Sequence, residues 1–229
     1  KMLKFYTNND FAFKDVHNEE LFLQNGKVKN RNFFFYLGLL FCIACQQGKQ
    51  VGAQELPKDY TTQHSIALAY CKAHKMNEDF YFLIDLRLHS GKNRFFVYNF
   101  KQKKNLYEKL VTHGSCDVFS SNPDKFQKAQ YSNQVNSHCS AKGKYKIGKR
   151  DYSSWGIKVK YWLEGLEDSN SNAQKRLIVL HSWEEVSDSE IYPHYSPLSW
   201  GCPAVSNAFM KLLDPLLQQS KKPVLLWIL

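Results

Sequence analysis

The chain has 229 residues, 43% hydrophobic and 15% aromatic, enough apolar surface to bury a substantial core in one domain beyond its N-terminal region. A formal net charge of +10 at pH 7 favours a polyanionic partner: nucleic acid, anionic lipid or a carboxylate-rich polymer. No RNA- or DNA-binding signature accompanies the scattered lysines, so nucleic acid is set aside; lysines solvated on loops account for the same charge.

Residues 1–27 hold aromatics and acids without a sustained period. Lys27-Val-Lys-Asn-Arg31 then precedes an apolar run from Phe33 to Ala44, FFFYLGLLFCIA, and Cys45. A basic stretch, an apolar core and a small residue before the cut is the layout of an export signal. The core is shorter than the ~20 apolar residues that a spanning helix needs. Ile43-Ala44-Cys45 resembles a bacterial lipobox, whose cysteine becomes the lipidated first residue of the mature chain, with Cys42 where such motifs usually carry Leu. The expectation is a lipoprotein-type signal over 28–45 with lipidation at Cys45, translation starting near Val28, and an upstream extension over 1–27. A buried apolar helix is the structural alternative. Residues 46–60, QQGKQVGAQELPKDY, are polar with Gly and Pro and read as a tether.

Thr61 to Lys75 reads as a helix, with Thr61 or Thr62 as N-cap and Ile66, Ala69, Tyr70 and Ala73 on one face. Cys71 on that helix reads as a packed small hydrophobe. From Phe80 the period changes. Phe80 to Leu88 is rich in β-formers, Ser90-Gly-Lys-Asn93 supplies a turn, and Arg94 to Phe100 returns as the second arm of a hairpin. Leu106 to Val111 is a further strand running into Thr112-His113-Gly114. At the other end, Ser206 caps an apolar helical run with Phe209, Met210, Leu212 and Leu213, which Pro215 is expected to break or kink. Val224 to Leu229 is a continuous apolar strand suited to the middle of a sheet.

The stretch Arg176 to Ser206 carries the chemistry. Leu177-Ile-Val-Leu180 reads as a short buried strand ending on His181, and Ser199-Trp200-Gly201-Cys202-Pro203 as a Gly-bearing turn that exposes a cysteine. A thiol whose ionisation is assisted by an imidazole within hydrogen-bond reach is a nucleophile. Gly201 lets the backbone turn sharply and lets a substrate approach its N–H. The C-terminal helix begins shortly after Cys202; aimed at the site, its dipole would lower the thiol pKa further.

His181-Ser182, a loop, and then Ser-x-Gly-Cys resemble the signature of the L,D-transpeptidase (YkuD-type) catalytic domain family. Trp200 stands where the wider family usually has a second His. SWGCPAVS is similar to the murein L,D-transpeptidase branch. So are Phe119-Ser120-Ser121-Asn122, the stretch from Ser137 to Tyr145, Gly165-Leu166-Glu167 and Asn172-Ala173. The resemblance covers about residues 78 to 229. It implies a mainly β, α+β fold of the L,D-transpeptidase β-sandwich type, with a catalytic domain over 61–229 and the predicted helix at its start. It also implies Cys202 as nucleophile, His181 as base, the Ser182 carbonyl orienting the imidazole, and backbone N–H groups at Gly201 and Cys202 holding the oxyanion. The implied donor is a murein tetrapeptide stem cut before its terminal D-Ala, the acceptor another stem, with no metal or organic cofactor. The implied setting is the exported, periplasmic face of the envelope, as a monomer anchored through Cys45.

Ser199 would steady the turn or touch substrate, Trp200 would line the substrate site, and His113, at a strand end before Gly, would line the pocket. Arg176 would bind a substrate carboxylate bidentately, or else pair with an internal acid. His194 covers the substrate or simply faces solvent. His113, Cys116, His138 and Cys139 form a loose Cys/His set whose spacing fits no usual zinc motif. An exported location permits a Cys116–Cys139 disulfide, which six cysteines in the chain leave open. Two other functions use the same residues: an L,D-carboxypeptidase or cysteine peptidase in which water resolves the thioester, and an inactive lipoprotein that binds wall polymer.

Overall fold

The structure, a computed structural model, describes residues 59–118 and 122–229. The extension, the signal segment with Cys45, most of the tether, and Phe119-Ser120-Ser121 lie outside the described residues. Among the described residues no helix is long and apolar enough to cross a membrane.

Helix α1 spans Thr61–Ala73. Its buried residues are Ala67 and Cys71, whereas Ile66 is 46% exposed. The packed face is therefore rotated from the predicted one. Ala67 and Cys71 pack, one turn apart and in line with buried Tyr60 two turns before Ala67, and the larger Ile66 points to solvent. Neither Thr61 nor Thr62 is the cap; Asp59 Oδ1 takes the Thr61 N–H at 2.8 Å and the Thr61 hydroxyl at 2.6 Å. Tyr60 donates its hydroxyl to Asp85 Oδ2 at 2.8 Å, so the last residues of the expected tether pack with the domain.

Strands β1 (Phe80–Ile84) and β2 (Phe95–Asn99) form the predicted hairpin, and β3 (Lys104–Lys109) pairs antiparallel with β2. β1 ends at buried Asp85, which binds the Arg87 guanidinium and backbone N–H and so turns the chain. The two-residue β4 (His113–Gly114) follows, then β5 (Gly143–Tyr152) and β6 (Val159–Gly165) as a long antiparallel hairpin. β7 is Val179–Ser182, β8 Leu198–Ser199, β9 Ala204–Val205, α2 Asn207–Gln219 and β10 Val224–Ile228.

One eight-stranded sheet runs β3-β2-β1-β10-β5-β6-β7-β9, and a two-stranded sheet joins β4 and β8. β10 is central, parallel to β1 and antiparallel to β5. Both β1 and β10 are buried on two faces, which explains their unbroken apolar runs. Phe80, Phe82, Ile84, Val224, Leu226 and Ile228 join one core with α2, while Tyr81, Leu83 and Leu225 join a second with α1.

In α2 the Ser206 hydroxyl accepts the Phe209 N–H at 3.0 Å, as a cap should. Phe209, Met210, Leu213 and Leu217 are buried, and Leu212, expected on the same face, is 42% exposed. The helix continues through Pro215 rather than ending there. Pro215 and Lys211 both lie on the exposed side, where water can take the carbonyl that Pro215 leaves without a partner.

Candidate active site

β7 and β9 run parallel, with His181 opposite Ala204. That pairing brings Cys202, two residues before Ala204, beside Val179, two residues before His181 and on the same face of β7. The Val179 N–H points at Cys202 Sγ from 3.4 Å, and the thiol faces the Leu177 carbonyl at 3.8 Å. Leu177 has φ +57, which turns the chain into β7 so that its carbonyl and the Val179 N–H converge on the sulfur.

His181 is buried, and its Nδ1 lies 3.0 Å from the Ser182 carbonyl oxygen. A carbonyl only accepts, so Nδ1 carries the hydrogen and Nε2 is the basic nitrogen. Burial lowers the His181 pKa, the Ser182 carbonyl raises it and Lys160 lowers it, with the net direction down. Burial likewise pushes the Cys202 thiol above its ordinary range, against the Val179 N–H and the cations of Arg176 and Lys160. Both directions favour the un-ionised thiol and imidazole over the ion pair. The thiol shift runs opposite to the lowering expected from the start of α2.

Two hydroxyls hold the backbone at Cys202. Ser199 Oγ donates to the Cys202 carbonyl at 2.7 Å and Thr112 Oγ1 does so at 3.2 Å. Each hydroxyl oxygen also accepts a backbone N–H, Gly201 at 3.2 Å for Ser199 and Ala204 at 3.0 Å for Thr112. The Thr112 backbone pairs with Ala204, and β4 pairs with β8, so the turn is fastened along both flanks.

Behind the turn lies the segment closed by the Cys116–Cys139 disulfide. Gly201 has φ +102, and a Cβ there would lie 2.5 Å from the Cys139 carbonyl oxygen, so this position needs glycine twice over. Arg176 donates to the same carbonyl through Nη2. Trp200 is 73% exposed and stacks on His138 with ring centroids 4.7 Å apart, while His138 Nδ1 binds Asp117 Oδ2 at 2.6 Å.

Two cavities meet at Cys202 and His181. One, of about 380 Å³, is walled by Trp155, Trp183, Leu198, Ser199 and Trp200. The other, of about 370 Å³, is walled by the β5–β6 turn (Tyr152 to Trp155), Lys160, Leu177 and Val179. A further cavity of about 580 Å³, between Asn77–Phe80 and the end of α2, shares no lining residue with them.

Of the residues singled out from sequence, Cys202, His181, Ser199 and Trp200 come together at these cavities. Ser182 stands behind His181. Gly201 forms the turn, with its N–H bonded to Ser199. His113 and Arg176 are not on either wall. His113 is fully buried, Nδ1 against Arg94 Nη2 at 2.8 Å and Nε2 against the Lys125 carbonyl at 2.7 Å. His194 is exposed on its loop. Cys116 and Cys139 are bonded to each other, and among the described residues no group of three or more His, Cys, Asp or Glu is placed to hold a metal. Thr112, Trp155, Lys160, Val179 and Trp183 also stand at the site, and no sequence motif marks them. The alternation Val159, Tyr161, Leu163 inward and Lys160, Trp162, Glu164 outward is the period-two signal that could have found β6.

No curated protein matches the chain by sequence. The helical cell shape determining protein Pgp2 from Campylobacter jejuni is 12% identical with a TM-score of 0.40, over 72% of this chain and 55% of that one. An L,D-transpeptidase (residues 123-326) from Xylanimonas cellulosilytica is 11% identical with a TM-score of 0.37, over 66% of this chain and 60% of that one. The match thus spans little more than half the length of these solved structures. Residues 53–227 match the L,D-transpeptidase catalytic domain family, and the chain belongs to that family.

Proposed function

We propose that this chain is a cysteine-dependent L,D-transpeptidase acting on peptidoglycan stem peptides through a thioester. The observation that carries the reading is the convergence of Cys202 and His181 at the junction of two cavities, with the imidazole tautomer fixed by Ser182. The donor carbonyl carbon is attacked by Cys202 Sγ; a C–S bond forms as the thiol proton passes to His181 Nε2. With the Gly201 N–H bonded to Ser199, the Cys202 N–H is the donor assigned to the oxyanion. The tetrahedral species collapses, the C–N bond breaks, and His181 returns the proton to the leaving amine. An acceptor amine then attacks the thioester, its proton moves through His181, and the thiol is restored.

Both shifts favour an un-ionised resting pair, so the thiol proton moves to His181 as Sγ attacks. Export, lipidation at Cys45, a place in the cell envelope and action as a monomer belong to the same proposal. Incubation of the full chain with a wall tetrapeptide and intact mass spectrometry tests it. An acyl adduct on Cys202 and cross-linked dimers are expected, both absent from Cys202→Ala. Tripeptide with no dimer would instead assign the site to an L,D-carboxypeptidase, and no adduct in folded protein would leave only a wall-binding role.

A further inference from the structure

The two cavities beside Cys202 differ in charge. The indole-lined one offers almost nothing polar besides Ser199. The other is lined by Lys160 and two serines, with no Asp or Glu in its wall. Lys160 stands opposite His181 in the β6–β7 ladder, half-buried, with Nζ 4.6 Å from the centroid of the Trp162 ring. Its neighbour across the β5–β6 ladder, Asp151, accepts the Tyr152 N–H and the Trp162 indole N–H, and the Lys160 charge helps to lower its pKa, but it is not part of the cavity wall. Among the described residues no carboxylate makes an ion pair with Lys160. The nearby Lys158 is committed, donating to the Ser154 carbonyl at 2.7 Å. Arg176, the cation that sequence offered for a carboxylate, is spent on the Cys139 carbonyl behind the turn.

A half-buried ammonium in no direct ion pair, on the wall of an open cavity that holds no carboxylate, can take a further anion beside the field of Asp151. Its field reaches the reacting groups, since it lowers the pKa of both His181 and Cys202. Ser153 Oγ accepts the Trp155 N–H at 3.1 Å and keeps its own hydrogen to give. We propose that Lys160 and the Ser153–Ser154 turn form a carboxylate-binding subsite that seats the anionic arm of the stem peptide on the β5–β6 side of Cys202. The inference rests on the stem-peptide reading above. It sets direction in the cleft: the anionic arm lies along the β5–β6 turn, and the uncharged part of the chain lies among the indoles. A stem offers two such carboxylates, the terminal one and the one on the side chain of a diamino diacid.

Binding separates this inference from turnover. Titration calorimetry on the full-length Cys202→Ala chain would use a tetrapeptide with both carboxylates free, one amidated at its terminus, and one amidated at its side chain. One amidation is expected to weaken binding roughly tenfold, the scale of a lost charged hydrogen bond. Lys160→Met should weaken the free peptide by a similar factor and erase the difference between free and amidated forms, and Lys160→Arg should restore it. Equal affinity for all three peptides, an unchanged preference in Lys160→Met, or no measurable binding overturns the subsite. An acyl adduct on Cys202 without any carboxylate preference sinks the subsite alone; a Lys160-dependent preference with no adduct in the parent chain sinks the catalytic reading alone.

Discussion

Gly156, in the β5–β6 turn, lies against Ser182, the residue whose carbonyl holds the His181 imidazole. A Cβ at Gly156 would collide with Ser182 Oγ and stand 2.5 Å from the Ser182 carbonyl oxygen, and φ there is +53. Ser182 Oγ also accepts the Ile157 N–H at 3.0 Å. The turn that walls the polar cavity therefore presses directly on the group that sets the imidazole tautomer.

Gly156→Ala is accordingly expected to lower kcat by roughly 100-fold, the scale of a misplacement near 1 Å in a reacting group. The protein should remain folded, because Gly156 is only partly buried at a turn. Gly156 acts through His181, so the acid limb of the kcat/KM profile should move as well. A drop in KM alone, with kcat and the pH profile unchanged, would disconnect the turn from the imidazole.

The neutral resting pair makes a prediction about pH. In the proposed mechanism acylation needs His181 Nε2 unprotonated, and burial holds its pKa below the ordinary imidazole value, so activity should persist to lower pH than a solvent-exposed His would permit. Alkylation of Cys202 by iodoacetamide should be slow at pH 7 and climb only above the ordinary thiol range. Peptide mapping distinguishes it from Cys71, which is fully buried with its pKa pushed up to about 12. His181→Ala should lower acylation by roughly 100-fold or more. Rapid alkylation of Cys202 at pH 6 would contradict the neutral pair.

The sequence made Cys202 and His181 legible because one sits in a Gly-bearing turn and the other at the end of an apolar run. The central strands were legible for the same reason: β1 and β10 are buried on both faces. β5 and β6 are obscured in the sequence by the lysines and tyrosines that dominate them, although Val159, Tyr161 and Leu163 alternate cleanly. With them went Lys160 and Trp155, which only the β5–β6 hairpin brings to Cys202. Arg176 illustrates the opposite difficulty. Its position before β7 is evident, but which acceptor it meets depends on Cys139, far away in the chain. The misplaced face of α1 has a local cause: small Ala67 and Cys71 pack closely under the sheet, and bulk alone pointed to Ile66.

The disulfide gives the next prediction. Cys116 and Cys139 are separated by 23 residues, a loop whose closure should stabilise the fold by about 3 kcal/mol. Replacing both with Ser should lower the unfolding free energy by that order, measured by urea titration. Because the Cys139 carbonyl meets both Gly201 and Arg176, the same variant should also slow acylation of Cys202 under conditions where it remains folded. Destabilisation with an unaltered acylation rate would make the bridge purely a brace for its own loop.

His113 predicts how stability follows pH. Burial and the Arg94 guanidinium lower its pKa to about 3, from an ordinary 6.5, while the Lys125 carbonyl opposes them. The folded chain keeps this imidazole neutral where the unfolded chain protonates it. The stability involved is fully present above pH 6.5 and is lost progressively as pH falls from there towards 3. Between pH 7 and 5 the carboxylates of the unfolded chain stay mostly ionised, so the histidines govern the slope in that window. His64, lowered to about 4 by burial, adds in the same sense. His113→Gln keeps a donor for the Lys125 carbonyl but cannot take up a proton. It should lower stability at pH 7.5 by about 1–3 kcal/mol through the altered contact with Arg94, and should make the fall between pH 7 and 5 shallower. Urea titrations of both proteins across that range decide it, and parallel slopes would show that His113 titrates alike in the folded and unfolded chain.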